Sequence, residues 1–276
     1  MTEENPQHSS RVSEPKLDQI VRQTIDSSEI SKYGTIIYSH NESVPNRLYV
    51  ISQIHDIEIN GTITFSSEVP RVQAEIYRLA SHIIESGEVN LLLPEGRYLQ
   101  KDYTEENAKL RGPEFAWLKV PNTATDKGLE RNLKILLEHD IHSDKLLIIS
   151  HPNLDAQGAE DQEVGELLPE ITQMAEKGVL SERLFRHLIA YKSGYFLHVT
   201  PKVIEREFNK GRISSRNAIV TMGHGHMGEV IDYLKRGQID LPPLTMGDRT
   251  YPGLRVRLNL GELGYGVTII KPLGIR

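Results

Sequence analysis

Short, unbroken apolar runs separated by helical patterns constrain this chain more than any other feature. Leu48 to Ile54, Asn90 to Pro94, Lys145 to Ser150 and Asn217 to Gly223 each contain a core of β-branched or aliphatic residues. Runs without polar alternation fit strands buried on both faces, and intervening helices supply the cover. The predicted fold class is therefore α/β, with a mostly parallel central sheet flanked by helices. Each run ends directly in His or Glu: His55, Glu95, His151, then His224 and His226. Ligands of open parallel sheets bind in the crevice outside the carboxyl ends of the strands, so these residues are expected to converge.

The remaining pattern fills in the frame. Residues 1–15 read as a disordered tail and residues 16–276 as a single domain, opened by a short amphipathic helix carrying Leu17, Ile20, Val21 and Ile25. Thr35 to Ser39 and Arg47 to Gln53 read as a hairpin, and Leu254 to Leu260 turning back into Val267 to Ile270 as another. Both hairpins would give the sheet antiparallel edges. Val69, Val72, Ile76, Leu79, Ala80, Ile83 and Ile84 keep helical spacing between a Ser67 cap and a Gly87 stop. Leu129, Leu133, Leu136 and Leu137 mark a second helix, and Met227, Val230, Ile231 and Leu234 a later one. Between Glu160 and Gly211 lies a helical block too long for one crossover. It holds a helix through Val164 and Met174, one opened by Ser181 and one opened by Thr200-Pro201. This block, at about 157–213, is expected to pack as a helical cap over one end of the sheet.

Composition excludes several chemistries. The chain has no Cys, which removes disulfides, thiolate metal sites and thiol catalysis. A net charge of −6 without a basic block argues against nucleic acid as the partner. No run approaches the ~18 apolar residues of a membrane helix. The polar, acidic stretch from Met1 to His8 is no secretory signal, so a cytoplasmic protein is expected, with homodimer formation left open.

Among candidate site residues, His can offer a neutral nitrogen to a metal or a base poised near neutral pH, and Glu an anionic oxygen or a proton relay. A single His after a strand would ordinarily cap it or face water; a coincidence at several strand ends favours a site. Gly223-His-Gly-His-Met-Gly228 is the strongest stretch, because its glycines (Gly223, Gly225, Gly228) let backbone approach a ligand and a helix begins near Met227. As a phosphate loop it is weak, since no Lys-Ser/Thr pair follows. His151 before Pro152 suits a structural role equally well, Glu229 a solvated helix position, and Arg206 either a substrate clamp or a surface charge.

The order of these motifs resembles the TraB/TIKI (GumN-like) family of the EreA/ChaN-like fold group. That family carries an early strand ending in Gly-x-x-His, an acidic residue after the next strand, and a late Gly-x-x-His. Here Gly223-His-Gly-His226 matches the late motif, Glu95 closely followed by Arg97 the acidic position, and Ile204-Glu-Arg206 an Arg-bearing helix. Ser52-Gln-Ile-His55 departs from the pattern, with Ser where the family has Gly. The resemblance spans about residues 33–272 and implies a metal-dependent hydrolase, a peptidase in the TIKI branch, with His55, Glu95 and His226 as ligands or acid/base groups.

The expected activity is hydrolysis of an amide (peptide) or ester bond in a small-molecule or peptide substrate. His55, Glu95 and His226 would hold a divalent metal (Mn, Zn or Co), with amides after Gly225 and the Arg206 side chain facing an oxyanion. A metal-free variant with His55 as base stays open. Two other readings are a haem or tetrapyrrole binder using one His as axial ligand, which the 6% aromatic content disfavours, and a non-catalytic small-anion sensor.

Overall fold

The computed structural model describes residues 27–275, apart from 55–56, 60–61, 65–67, 117, 119–125, 140, 168–169, 172, 175–176 and 180. The predicted tail, the amphipathic helix of residues 17–25, the Ser67 cap and His55 lie outside the described residues.

The strands are β1 (Gly34–His40), β2 (Asn46–Gln53), β3 (Ile57–Ile59), β4 (Thr62–Thr64), β5 (Val89–Pro94), β6 (Asp155–Ala156), β7 (Asn217–Gly223), β8 (Gln238–Leu241), β9 (Leu244–Met246), β10 (Arg249–Tyr251), β11 (Leu254–Arg257) and β12 (Tyr265–Pro272). Described helices are α1 (Ser27–Ile30), α2 (Glu68–Glu85), α3 (Thr104–Leu110), α4 (Asp126–His139), α5 (Ser143–Ser150), α6 (Gln162–Gly165), α7 (Glu182–Asn209) and α8 (Met227–Arg236). Six strands form the central sheet in the order β1-β12-β2-β7-β5-β6. β12, β2, β7, β5 and β6 run parallel, and β1 closes one edge antiparallel to β12. Small antiparallel pairs, β3 with β4, β8 with β11 and β9 with β10, lie outside it. The fold is the expected α/β class, a mostly parallel sheet flanked by helices with antiparallel hairpins at its margins.

Alternate strand residues divide the core into two layers, as a period of two requires. Leu48, Val50, Leu91, Leu93, Ala218, Val220 and Met222 face α7 and α8. Tyr49, Ile51, Leu92 and Ile219 face α2, α4 and α5. The helix that follows β2 thus lies on one face and the helix that follows β7 on the other. Because β2 and β7 are neighbours, a crevice opens between their carboxyl ends. Gly87, with φ 81°, takes the left-handed turn that ends α2.

Several predicted elements take other forms. Lys145 to Ile149 is not a strand: it lies within α5, where Leu146, Leu147 and Ile148 are fully buried. A short run apolar all round is ambiguous between strand and buried helix, and the covering layers decide it. His151 consequently caps a helix, with Nε2 3.0 Å from Ser81 Oγ, instead of ending a strand. The parallel edge of the sheet, beside β5, is filled by two-residue β6, too short to carry a pattern. Neither predicted long hairpin pairs with itself. β12 intervenes between β1 and β2, and β11 pairs with β8 across Leu254↔Leu241 to Arg257↔Gln238. Thr200-Pro201 does not open a helix but lies inside α7. The Thr200 hydroxyl donates to Phe196 O (2.8 Å), and burial of Leu197, Val199, Val203 and Ile204 on the sheet carries the helix through the proline. Only the second half of α7 covers the sheet; Leu184, Leu188 and Tyr191 pack instead with Val164, Leu244 and Tyr251 in a separate cluster.

The segment after β5 is locked against the segment after β6. Tyr98 and Glu160 form a parallel bridge, Leu99 N–H donates to Glu160 O, and Arg97 O accepts from the Ala159 and Glu160 amides. Gly158 makes this approach possible, since a Cβ there would stand 2.1 Å from Tyr98 O. Gly158→Ala should therefore destabilise the fold by at least ~1–3 kcal/mol, the range for overpacking a tight site. Urea unfolding checks this, and an unchanged midpoint would contradict the bridge.

Candidate functional site

Glu95 is the centre of the carboxyl edge. It follows β5 directly, and its N–H donates to Thr221 O (3.0 Å) as a last rung between β5 and β7. Its Oε2 accepts from the Gly223 amide (2.6 Å) and from Gln53 Nε2 (3.4 Å), so the ends of β5, β7 and β2 meet on one carboxylate. Its Oε1 lies 3.4 Å from Lys192 Nζ and 3.4 Å from His226 Nε2.

Lys192 comes from α7 and stands between half-buried Glu95 and buried Glu160, 3.4 Å from a carboxylate oxygen of each. Glu160 is fixed in turn by the Gly96 amide, which donates to its Oε1 (2.9 Å). Burial acts against the Lys192 charge, but the Glu160 and Glu95 carboxylates outweigh it and raise its pKa above the ordinary lysine value. Lys192 is thus a fixed cation and no base.

Ser193 and Glu95 hold the two ring nitrogens of His226. The Ser193 hydroxyl donates to Ile189 O (2.7 Å), which leaves Ser193 Oγ to accept from His226 Nδ1–H (2.9 Å). In that arrangement Nε2 is the ring nitrogen that faces Glu95 Oε1. Protonated, it pairs with that carboxylate. His224 is held in a comparable way, Nδ1 2.8 Å from the buried Ser52 Oγ, but its ring is exposed at the rim.

The structure brings Glu95 and His226 together, as the strand ends imply. His55, after β2, lies outside the described residues. Gly223 contributes its amide to Glu95 and not to an open loop. Gly225 and Gly228 are exposed, and a Cβ at either would meet nothing within 4 Å, so close backbone approach does not explain them. Arg206 belongs to another place. It lies 14 residues beyond Lys192 on α7, roughly 21 Å along a helix, and pairs with Glu207 Oε1 (2.5 Å) and Leu99 O (3.3 Å). Arg97 is buried, donating to Asn107 Oδ1 (2.8 Å) and stacked on Tyr103, a strut under the Glu95 loop. Sequence reading passed over Lys192, Ser193 and Glu160. A Lys-Ser pair inside the largely buried stretch Leu188 to Leu197 was the available signal.

The described donors do not by themselves fit a divalent metal. No group of three His, Asp or Glu suited to one occurs among the described residues, and the cation position between Glu95 and Glu160 is held by the Lys192 ammonium.

Replacing that cation has a predictable consequence. Lys192→Met removes the cation that Glu95 and buried Glu160 share and should cost up to ~3–5 kcal/mol at neutral pH, the range for breaking a buried pair. In the wild type, a raised lysine pKa contributes stability that is complete below its unfolded value of 10.5 and lost as pH rises through the folded value. Denaturant titrations at several pH values check both expectations.

Among the described residues no helix is long and apolar enough to cross a membrane. Comparison of the chain with family models, with curated proteins and with solved structures gives no match, so any assignment rests on the residues of the chain itself.

Proposed function

We propose that the protein is a hydrolase of an amide (peptide) or ester bond, with His226 and Glu95 as its proton-handling pair. The observation that carries this reading is His226 Nε2 set 3.4 Å from Glu95 Oε1, with Nδ1 2.9 Å from Ser193 Oγ, beside the Lys192 ammonium. A water bound at Nε2 can give up its proton to the imidazole as it attacks a carbonyl carbon. The Glu95 carboxylate stabilises the imidazolium that results, and the same proton is then available to the leaving amine or alcohol. Lys192 offers a permanent positive charge to the developing oxyanion, a part the sequence reading gave to Arg206. Partial burial of all three side chains, with 11–16% exposure, keeps water few and charges strong while leaving the groups reachable.

A second reading is a divalent metal (Mn, Zn or Co), which His55, Glu95 and His226 would hold and which would supply Lewis-acid chemistry. It is favoured by the same facing pair of lone-pair donors, Nε2 and Oε1, and requires the Lys192 ammonium to give way.

The test is turnover of p-nitrophenyl acetate and of an unstructured peptide mixture by protein purified without an affinity tag. Glu95→Gln and His226→Ala should each lower kcat/KM by about 10²–10⁴-fold, while His139→Ala, on the exposed face of α4, should not. Wild-type protein without turnover on any ester or peptide tried would sink the reading. Dialysis against a chelator should leave both the activity and the melting temperature in place. Activity lost to the chelator and restored by Mn, Zn or Co, with a rise in melting temperature that His226→Ala abolishes, would transfer the proposal to the metal reading.

A further inference from the structure

Thr221 sits on β7 opposite Pro94 of β5, one residue before the strand ends converge on Glu95. It is 1% exposed, and its hydroxyl oxygen has no hydrogen-bond partner among the described residues. By strand alternation it shares a face with Ile219, towards α2 and α5, whereas Lys192, Ser193 and His226 lie on the side of α7. A buried hydroxyl with no partner is costly, and native folds keep few of them without a ligand or water to satisfy them.

This hydroxyl lines a recess of about 190 Å³ whose other walls include Gln53, Glu95, Asp144 and Lys145. The recess is smaller than the ~300–1,000 Å³ that holds a drug-sized molecule, so it fits the small end of a ligand and not the whole. Its charges are mixed, Glu95 and Asp144 against Lys145, so neither a carboxylate nor an ammonium is matched. Thr221 can donate a hydrogen bond, and the Gln53 side-chain carbonyl and the Glu95 carboxylate can accept one. With His142 and Lys145 also on its walls, the recess offers donors as well as acceptors, and this mixture suits a neutral group that both accepts and donates.

We propose that this recess is a binding subsite for a small neutral polar group, a carboxamide or an alcohol, with the Thr221 hydroxyl donating to its oxygen. In the hydrolase reading, on which only this role rests, the subsite grips one end of the substrate on the far side of Glu95 from His226.

The test uses the full chain and acetamide as probe, observed by saturation-transfer NMR, with acetate and methylammonium as charged controls. Wild-type protein should bind acetamide and neither control. Thr221→Val should weaken acetamide roughly tenfold, the loss of one hydrogen bond, while Thr221→Ser retains it. Thr221→Val should also raise the melting temperature by a few degrees, because a methyl replaces an unsatisfied hydroxyl. His226→Ala should bind acetamide as the wild type does even though the hydrolase reading has it lose turnover, which separates failure of the subsite from failure of that reading. Acetamide that fails to bind wild type, binds Thr221→Val equally well, or competes with acetate overturns the proposal. So does a lower melting temperature for Thr221→Val, since the hydroxyl would then be bonded within the chain.

Discussion

The ion triad of Glu95, Lys192 and Glu160 holds the functional edge together. Glu95 gathers the ends of three strands, Glu160 belongs to the segment after a fourth, and Lys192 arrives from the long helix that covers one face. Two carboxylates at this depth would repel one another and would each forfeit hydration. One ammonium between them, with backbone amides on both acids, turns that repulsion into a clamp. The arrangement favours specificity of geometry more than net stability, because each charge is worth little without the other two.

That clamp depends on the sheet order. Parallel strands gather their ends on one side, but only where neighbouring strands send their helices to opposite faces does a crevice open. β2 and β7 satisfy that condition, and the site lies where they meet β5. The two faces then carry different groups. The α7 side carries Lys192, Ser193 and His226, and the α5 side carries the mixed-charge recess beside Gln53 and Thr221.

Much of this was legible from residue order. Buried strands such as Asn90 to Pro94 and Asn217 to Gly223 announce themselves by continuous aliphatic character, and their terminal Glu95 and His226 do converge. The misreadings share a cause. Leu146 to Ile149 is apolar on every side, and only the layers around it decide between helix and strand. Arg257 and Tyr265 sit close in sequence on strands that never pair, because β11 turns back on nearby β8 while β12 takes partners more than 200 residues earlier, β1 and β2. The site followed the same rule. Residues at strand ends were visible because position gave them meaning, whereas Lys192 owes its role to a helix packed across the sheet. Its neighbours Tyr191 and Ser193 gave little hint of that. Arg206 carried the expected charge on the expected helix, at a position about four turns too far along.

The insertion of β12 between β1 and β2 bears on how the chain is made. A ribosome that has delivered everything as far as Gly264 has produced the acid triad, both histidines and all five other strands of the main sheet. Yet β1 then has no strand to pair with, and β2 carries one bare edge. Val50 and Ile51 offer such an edge to any passing chain until Ile269 and Ile270 arrive. The main sheet therefore closes only once β12 has been made.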